Sequence, residues 1–238
     1  MKSINFYKAL FLGVLLAGFS GIAKSQTCSI YYPLTNGSSW SMTNYDGKGK
    51  VDGTSDNVVT RSTTSTEGTI ATIQTTSKDK KDSVNGTMNT SIKCTGGKVY
   101  VDMKSFIPTS PQYKNMDMKS DGTWLEIPET LTVGMKLTDG TGTMTIYNNG
   151  TVFSTMKVSI TNRTVASQET ITTAAGTFVC FKVTEDVKME MTVMGMTVPT
   201  TGKTVEYYCA NTGLVKSMTY DKNDKLIGYS ELTKITKK

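Results

Sequence analysis

Along most of the chain, apolar and polar residues alternate one for one. The runs Ser39-Trp40-Ser41-Met42-Thr43-Asn44-Tyr45, Gly68 to Gln74 and Phe153 to Ile160 show it most clearly. A period of two puts successive side chains on opposite faces, so each run reads as a strand with one dry face and one wet face, as in an antiparallel sheet. Thr, Val, Ser and Tyr dominate the runs, and clusters of Gly, Asn and Asp punctuate them. From Phe178 to Ile235 the pattern predicts consecutive hairpins. The fold class expected is all-β and mainly antiparallel, either a strongly curved meander sheet or half-barrel, or two packed sheets. No linker rich in Pro or in Gly and Ser divides the chain, and no internal period of roughly 20–50 residues recurs. Residues 26–238 therefore read as one β domain.

Two hairpins share a frame. Tyr45-Asp46, three turn residues, Lys50, Val51, Asp52, Gly53, Thr54 and Ser55 match Tyr220-Asp221 through Lys225, Leu226, Gly228 and Ser230. The turn residues are those that tolerate positive φ, and the Gly after the aliphatic suits a bulge in the returning strand.

The segment from Lys104 to Gly122 lacks alternation. Ser110-Pro111 is a helix start, with Ser as cap and Pro in the first turn. Tyr113 and Met116 then fall three apart on one face. This segment is expected to be a short helical lid or crossover over the sheet. Phe106, Ile107, Tyr113 and Met116, with Trp124 just beyond, are the candidate ligand-contacting residues.

Met1 to Ser25 has the form of a secretory signal: Lys2 and Lys8, then an apolar run from Ala9 to Phe19, then Ala23 and Ser25 flanking Lys24 before a cleavage site at Gln26. The apolar run is shorter than the roughly 20 residues of a membrane span. Cys28 does not directly follow a small residue, which argues against a lipid anchor. The expected product is an exported chain of about 213 residues, periplasmic or at the cell surface, with no transmembrane segment. In an oxidising compartment its cysteines, Cys28, Cys94, Cys180 and Cys209, read as disulfides. Spacing does not choose among the three possible pairings. Cys28–Cys94 with Cys180–Cys209 is taken forward, because the second pair would link neighbouring strands of the C-terminal meander.

The chain has no histidine, which removes Ser-His-Asp and Cys-His chemistry and His-ligated zinc. Its formal charge of +6 falls to about +3 without Lys2, Lys8 and Lys24, and only Arg61 and Arg163 are arginines. Scattered lysines close to acids suit a mixed-charge surface rather than a nucleic-acid face. Asp221-x-Asn223 lacks the turn Gly of a calcium loop. Glu126, Glu129 and Asp139 have no spacing that sets them apart as a catalytic carboxylate pair. Methionine is frequent, at 14 residues. Met189, Met191, Met194 and Met196 form the one candidate metal set, because thioethers suit Cu(I). Alternation puts the first pair opposite the second unless Gly195 bends the strand, and adaptable filling of an apolar face is the competing account. Tyr31-Tyr32 and Tyr207-Tyr208 present aromatics to both faces of a strand, most simply as cross-strand pairs. Asp82-Ser83-Val84 has the acid-hydroxyl-aliphatic form of an O-glycosylation acceptor.

Several segments together resemble the TapB-like family of secreted Gram-negative β proteins. They are Cys28-x-x-Tyr31-Tyr32-Pro33, Leu131-Thr132-Val133-Gly134-Met135-Lys136-Leu137, Ala175-Gly176-Thr177-Phe178-x-Cys180, Glu206-Tyr207-Tyr208 with Gly213-Leu214-Val215-Lys216, and Gly228-Tyr229-Ser230-Glu231-Leu232. Ala174 stands where that family usually has Pro. The resemblance implies a long curved antiparallel sheet with no catalytic residues to carry over, similar at fold level to the half-barrels that carry lipoproteins. The function expected is non-enzymatic and without cofactor: holding an apolar small molecule or an envelope protein on a concave sheet face. A structural or adhesive envelope component is the alternative, and copper capture a lesser one.

Overall fold

The computed structural model describes residues 31–106 and 116–238. The segment read as a signal, Cys28, the Ser110-Pro111 helix start, Ile107 and Tyr113 lie outside the described residues. The first half of the chain forms β1 (Ser39–Asp46), β2 (Val51–Ser65), β3 (Gly68–Asp79), β4 (Val84–Thr95) and β5 (Lys98–Val101). A short 3-10 turn, Met103–Phe106, follows, then β6 (Asp117–Gly122) and β7 (Leu125–Pro128). The second half forms β8 (Gly140–Asn148), β9 (Thr151–Thr173), β10 (Gly176–Val193), β11 (Met196–Cys209), β12 (Gly213–Asp221) and β13 (Leu226–Thr236).

All strands join one 13-stranded sheet in the order β6-β8-β9-β10-β11-β12-β13-β1-β2-β3-β4-β5-β7. The paired ladders are antiparallel, so the all-β expectation holds and the single curved sheet is realised in place of two sheets. β6 and β7 are the two edges of the sheet, yet only Thr123 and Trp124 separate them in the chain. That link spans at most about 11 Å between flanking Cα atoms. The edges must therefore face each other, and the sheet curls into a half-barrel with a seam. Thr123 fastens the seam through Thr141: its amide donates to the Thr141 carbonyl at 2.8 Å, and its hydroxyl accepts from the Thr141 amide at 2.8 Å.

Of the segment expected as a lid or crossover, the described part holds the end of the 3-10 turn and, at Asp117–Gly122, an edge strand of the sheet. Its residues are exposed throughout, so no apolar face produced a period of two. Lys119 and the flanking Asp117 and Asp121 are the charges that keep an open edge from pairing with another chain.

The hairpin frame occurs three times. Asp46, Asp79 and Asp221 each accept two backbone amides through one carboxylate oxygen, from Lys48 and Lys50, Lys81 and Ser83, and Asn223 and Lys225. The residue three along, Gly49, Asp82 or Asp224, has positive φ (78°, 66° and 59°). The aliphatics Val51, Val84 and Leu226 and the glycines Gly53, Gly86 and Gly228 fall at matching positions. A register shift accompanies each, at Asn44/Tyr45, Ser77/Lys78 and Thr219/Tyr220. Bulges strengthen strand twist, so three on one rim help to coil the sheet. The copy at Asp79 escapes a sequence match because Lys78, Ser83 and Met88 stand where the others have Tyr, Lys and Ser.

Core side chains fill the inner face between β7 and β10, where Leu125, Ile127, Met144, Ile146, Met156, Val158 and Ile160 are fully or nearly fully buried. The 3-10 turn plugs this half from inside. A Cβ on Gly142 would come within 2.8 Å of the Met103 Cβ, so the glycine is what lets Met103 lie on β8. The stretch after β7 adds Leu131 and Leu137, and it docks beside β9 through the amides of Gly134 and Leu137, which donate to the Val165 and Arg163 carbonyls. A second cluster, with Met42, Tyr207, Val215 and Leu232, includes the disulfide Cys180–Cys209.

Candidate functional site

The other half of the inner face is open. Between β1–β5 and β11–β13 lies a trough of about 610 Å³. Register fixes which side chains share it. Asn44 opposes Gly53, Asn57 opposes Thr75, Thr75 opposes Met88, and Ser217 opposes Ser230. Reading along the strands gives a gradient. Toward the bulged hairpins the lining is Asn44, Ser55, Ser77, Asn85, Ser217 and Ser230. Midway come Asn57, Thr75, Thr90 and Met88, and at the far end Trp40, Ile73, Ile92, Val101, Phe106 and Leu214. Asn57 is held in place: its amide nitrogen donates to the carbonyls of Trp40 and Ser55, and its oxygen accepts from the Thr75 hydroxyl at 2.8 Å.

Beside the apolar end sit buried charges. Cross-strand pairing of Val183 with Glu206 and of Glu185 with Thr204 puts both acids on the face of Tyr208. Arg163, on β9, has a fully buried side chain. Its Nε donates to Glu185 at 3.2 Å, and one terminal nitrogen donates to the carbonyls of Glu126 and Thr138 at 2.8 and 2.7 Å. Glu126 belongs to edge strand β7, so Arg163 ties one edge of the sheet to a strand near the other. Tyr208 donates its hydroxyl to Glu206, which lines the trough together with Tyr32 and Tyr208. Burial raises the Glu206 carboxyl, against the opposing pull of the Tyr208 hydrogen bond and Arg163. Burial and then repulsion from Glu206 push Glu185 up to about 8, with Arg163 acting the other way. Tyr32 and Trp40 pack at 6.3 Å between ring centroids, and Tyr31 meets Tyr208 edge-on.

Of the residues proposed from sequence, Phe106 lines the trough and Met116 packs at the margin of the core. Trp124 lies away from the trough. Lys93, which alternation turns away from inner-facing Ile92, covers its ring at 4.1 Å. The methionine set does not converge. Met189 and Met191 pack against the core, while Met194 and Met196 are 84% and 71% exposed at the β10–β11 tip. The orientation expected for Met196 is corrected: Val193 opposes Met196 and Met191 opposes Val198, so Met196 shares the face of Met189 and Met191. Met194 and Gly195 are turn residues with positive φ, so strand alternation does not run through them. Cys180 and Cys209 pair as expected, facing each other across the β10–β11 ladder at a Cα–Cα distance of 4.1 Å. Cys94 is buried and disulfide-bonded, and Cys28 lies outside the described residues.

Sequence reasoning missed Arg163, Glu185 and Glu206. A signal was present: two glutamates at positions whose strand neighbours on the same face are Val183 and Tyr208, and one of only two arginines. Carboxylates on a dry face call for a buried partner.

The fold and its trough define a class, the curled antiparallel half-barrels. Within it, the DUF3108-like family model matches residues 35–232, and the chain belongs to that family. The TapB-like name is not carried by this match. Two solved structures share the fold. A candidate exported protein with a YmcC-like fold from Bacteroides fragilis has a TM-score of 0.73 at 24% identity, covering 88% of this chain and 100% of its own. A candidate lipoprotein from Parabacteroides distasonis has a TM-score of 0.74 at 23% identity, covering 89% and 100%. No curated protein matches the chain.

Proposed function

We propose that this chain is an exported envelope protein that holds an elongated amphiphile along its concave face. The carrying observation is the graded lining of the trough, apolar and aromatic around Trp40, Ile73 and Phe106 and rich in amides and hydroxyls around Asn44, Ser77 and Ser230. Small-molecule sites combine apolar wall with placed polar groups; here the two kinds of lining are segregated along the trough, with Asp52 and Lys78 among the polar groups of the hairpin end. Holding rather than turnover is the role, in keeping with the TapB-like resemblance. Export is supported by the leader-like segment 1–25, by the oxidised cysteines, and by the descriptions of the two fold relatives. Cleavage before Gln26 would leave residues 26–238 as one domain.

The test is binding of a fluorescent acyl-chain probe to purified protein, with native mass spectrometry of material recovered from a bacterial envelope. Saturable binding that Thr75→Trp blocks, in a protein that still melts cooperatively, is the expected result. A ligand-free mass together with no probe binding overturns the reading.

A second reading, attachment within the envelope, is favoured by one observation. Met194, Met196 and Val198 are exposed at the β10–β11 tip, which runs beyond the end of β12 at Asp221. Copper capture would have to use Met189 and Met191 without the two tip methionines. Among the described residues, no helix is long and apolar enough to cross a membrane.

A further inference from the structure

We infer that the aromatic end of the trough is a site for an ammonium group, carried on an apolar stem at the inner end of the bound molecule. This rests on the trough being a binding site and adds the chemistry it selects. Four rings, those of Tyr32, Trp40, Phe106 and Tyr208, line the cavity together with the Glu206 carboxyl. Aromatic faces attract cations, most strongly where water is excluded, and aromatic cages are a recurrent solution for quaternary ammonium groups.

Charge accounting points the same way. The buried cluster holds two carboxyls and one guanidinium. Arg163 directs its Nε to Glu185 and one terminal nitrogen to two carbonyls, and among the described residues no ion pair includes Glu206. Glu206 is 4% exposed, and its hydrogen bond comes from a neutral phenol. A buried carboxyl lacking a cation of its own keeps a proton, or takes a cation when one arrives. The groups facing it are Tyr208 on its own strand, Glu185 on β10, Arg163 on β9 and Tyr32 ahead of β1; Arg163 is the one cation among them and acts on Glu206 through space, its hydrogen bonds going to Glu185 and the two carbonyls and its other terminal nitrogen having no partner. An ammonium ligand replaces the proton, so its binding is linked to pH.

The experiment compares choline with its uncharged carbon isostere, neohexyl alcohol. The signal is the fluorescence of Trp40 in a Trp124→Phe protein, which leaves Trp40 as the one tryptophan. Choline should bind about tenfold or more tighter than the alcohol. Rising pH should tighten choline and leave the alcohol unchanged. Glu206→Gln should abolish the preference while the protein still melts cooperatively. Phe106→Leu, which removes a ring and no charge, should weaken choline several-fold with little effect on the alcohol. Equal affinity for the two, or a choline preference that survives Glu206→Gln, overturns the ammonium site. If the acyl probe still binds in that case, the trough reading stands; if neither the small molecules nor the probe bind, both readings fall.

Discussion

Between β7 and β10 the inner face carries Leu125, Ile127, Met144, Ile146, Met156 and Val158, while across β1 to β4 the equivalent inward positions carry Asn44, Ser55, Asn57, Thr75, Ser77 and Thr90. Backbone geometry is the same in both regions: antiparallel ladders with a period of two. The first region is plugged by the 3-10 turn and the stretch through Leu131 and Leu137, which seal the apolar side chains from water. The second has no plug among the described residues, and its side chains are small and polar toward the mouth, as a wetted surface requires. Curling a sheet creates an interior; the identity of the inward residues decides whether that interior becomes core or cavity.

The largest effect is expected where the sheet is tied together. Arg163 joins edge strand β7 to β9 and to Glu185, and its guanidinium is wholly buried. Arg163→Met leaves Glu185 and two carbonyls without their partner, so a loss of roughly 3–5 kcal/mol is expected by denaturant unfolding. A loss within about 1 kcal/mol would mean that the seam does not depend on this residue.

The two halves can then be set against each other. Ile146→Ala removes a fully buried side chain from the filled half and should cost about 2–5 kcal/mol. Thr75→Val in the open half loses the hydrogen bond to Asn57 and should cost only about 1 kcal/mol. Equal costs would remove the distinction between core and trough.

The last expected effect is in pH. Glu185 is raised to about 8 from a usual value near 4.5. The folded state therefore binds more protons than the unfolded state across that window, and stability falls as pH rises through it. Glu206 is shifted in the same direction. The melting temperature should drop by several degrees between about pH 5 and pH 9, and Glu185→Gln should flatten the slope. A rising profile would show that the acids are held ionised in the fold.

Much of the sheet was legible from alternation, because inner and outer faces differ in polarity along β1, β3 and β9. The Cys180–Cys209 bridge followed from hairpin order. β6 was hidden, since both of its faces are wet and polarity then carries no period. The trough was legible only in part. Phe106 was named from its apolar neighbourhood, whereas Asn57, Thr75 and Ser77 look like solvent-facing residues until curvature turns their side inward. An aromatic beside a crossover gives no indication of its face, so the sequence does not show that Trp124 lies away from the trough. The Arg163 cluster joins strands far apart in the chain, and single-strand patterns do not encode such meetings.

The adjacency of β1 and β13 carries a kinetic consequence. Most ladders connect strands that are neighbours in sequence, but Thr233 reaches Ser41 across a separation of 192 residues. Two meanders, residues 39–101 and 140–236, can each zip locally, and their union waits on a costly long-range closure. The trough draws its walls from both, with Trp40 and Ile73 on one side and Glu206 and Leu214 on the other. On the proposed reading, a ligand would meet a complete trough only once the two meanders have docked, and its occupancy would hold them together by mass action.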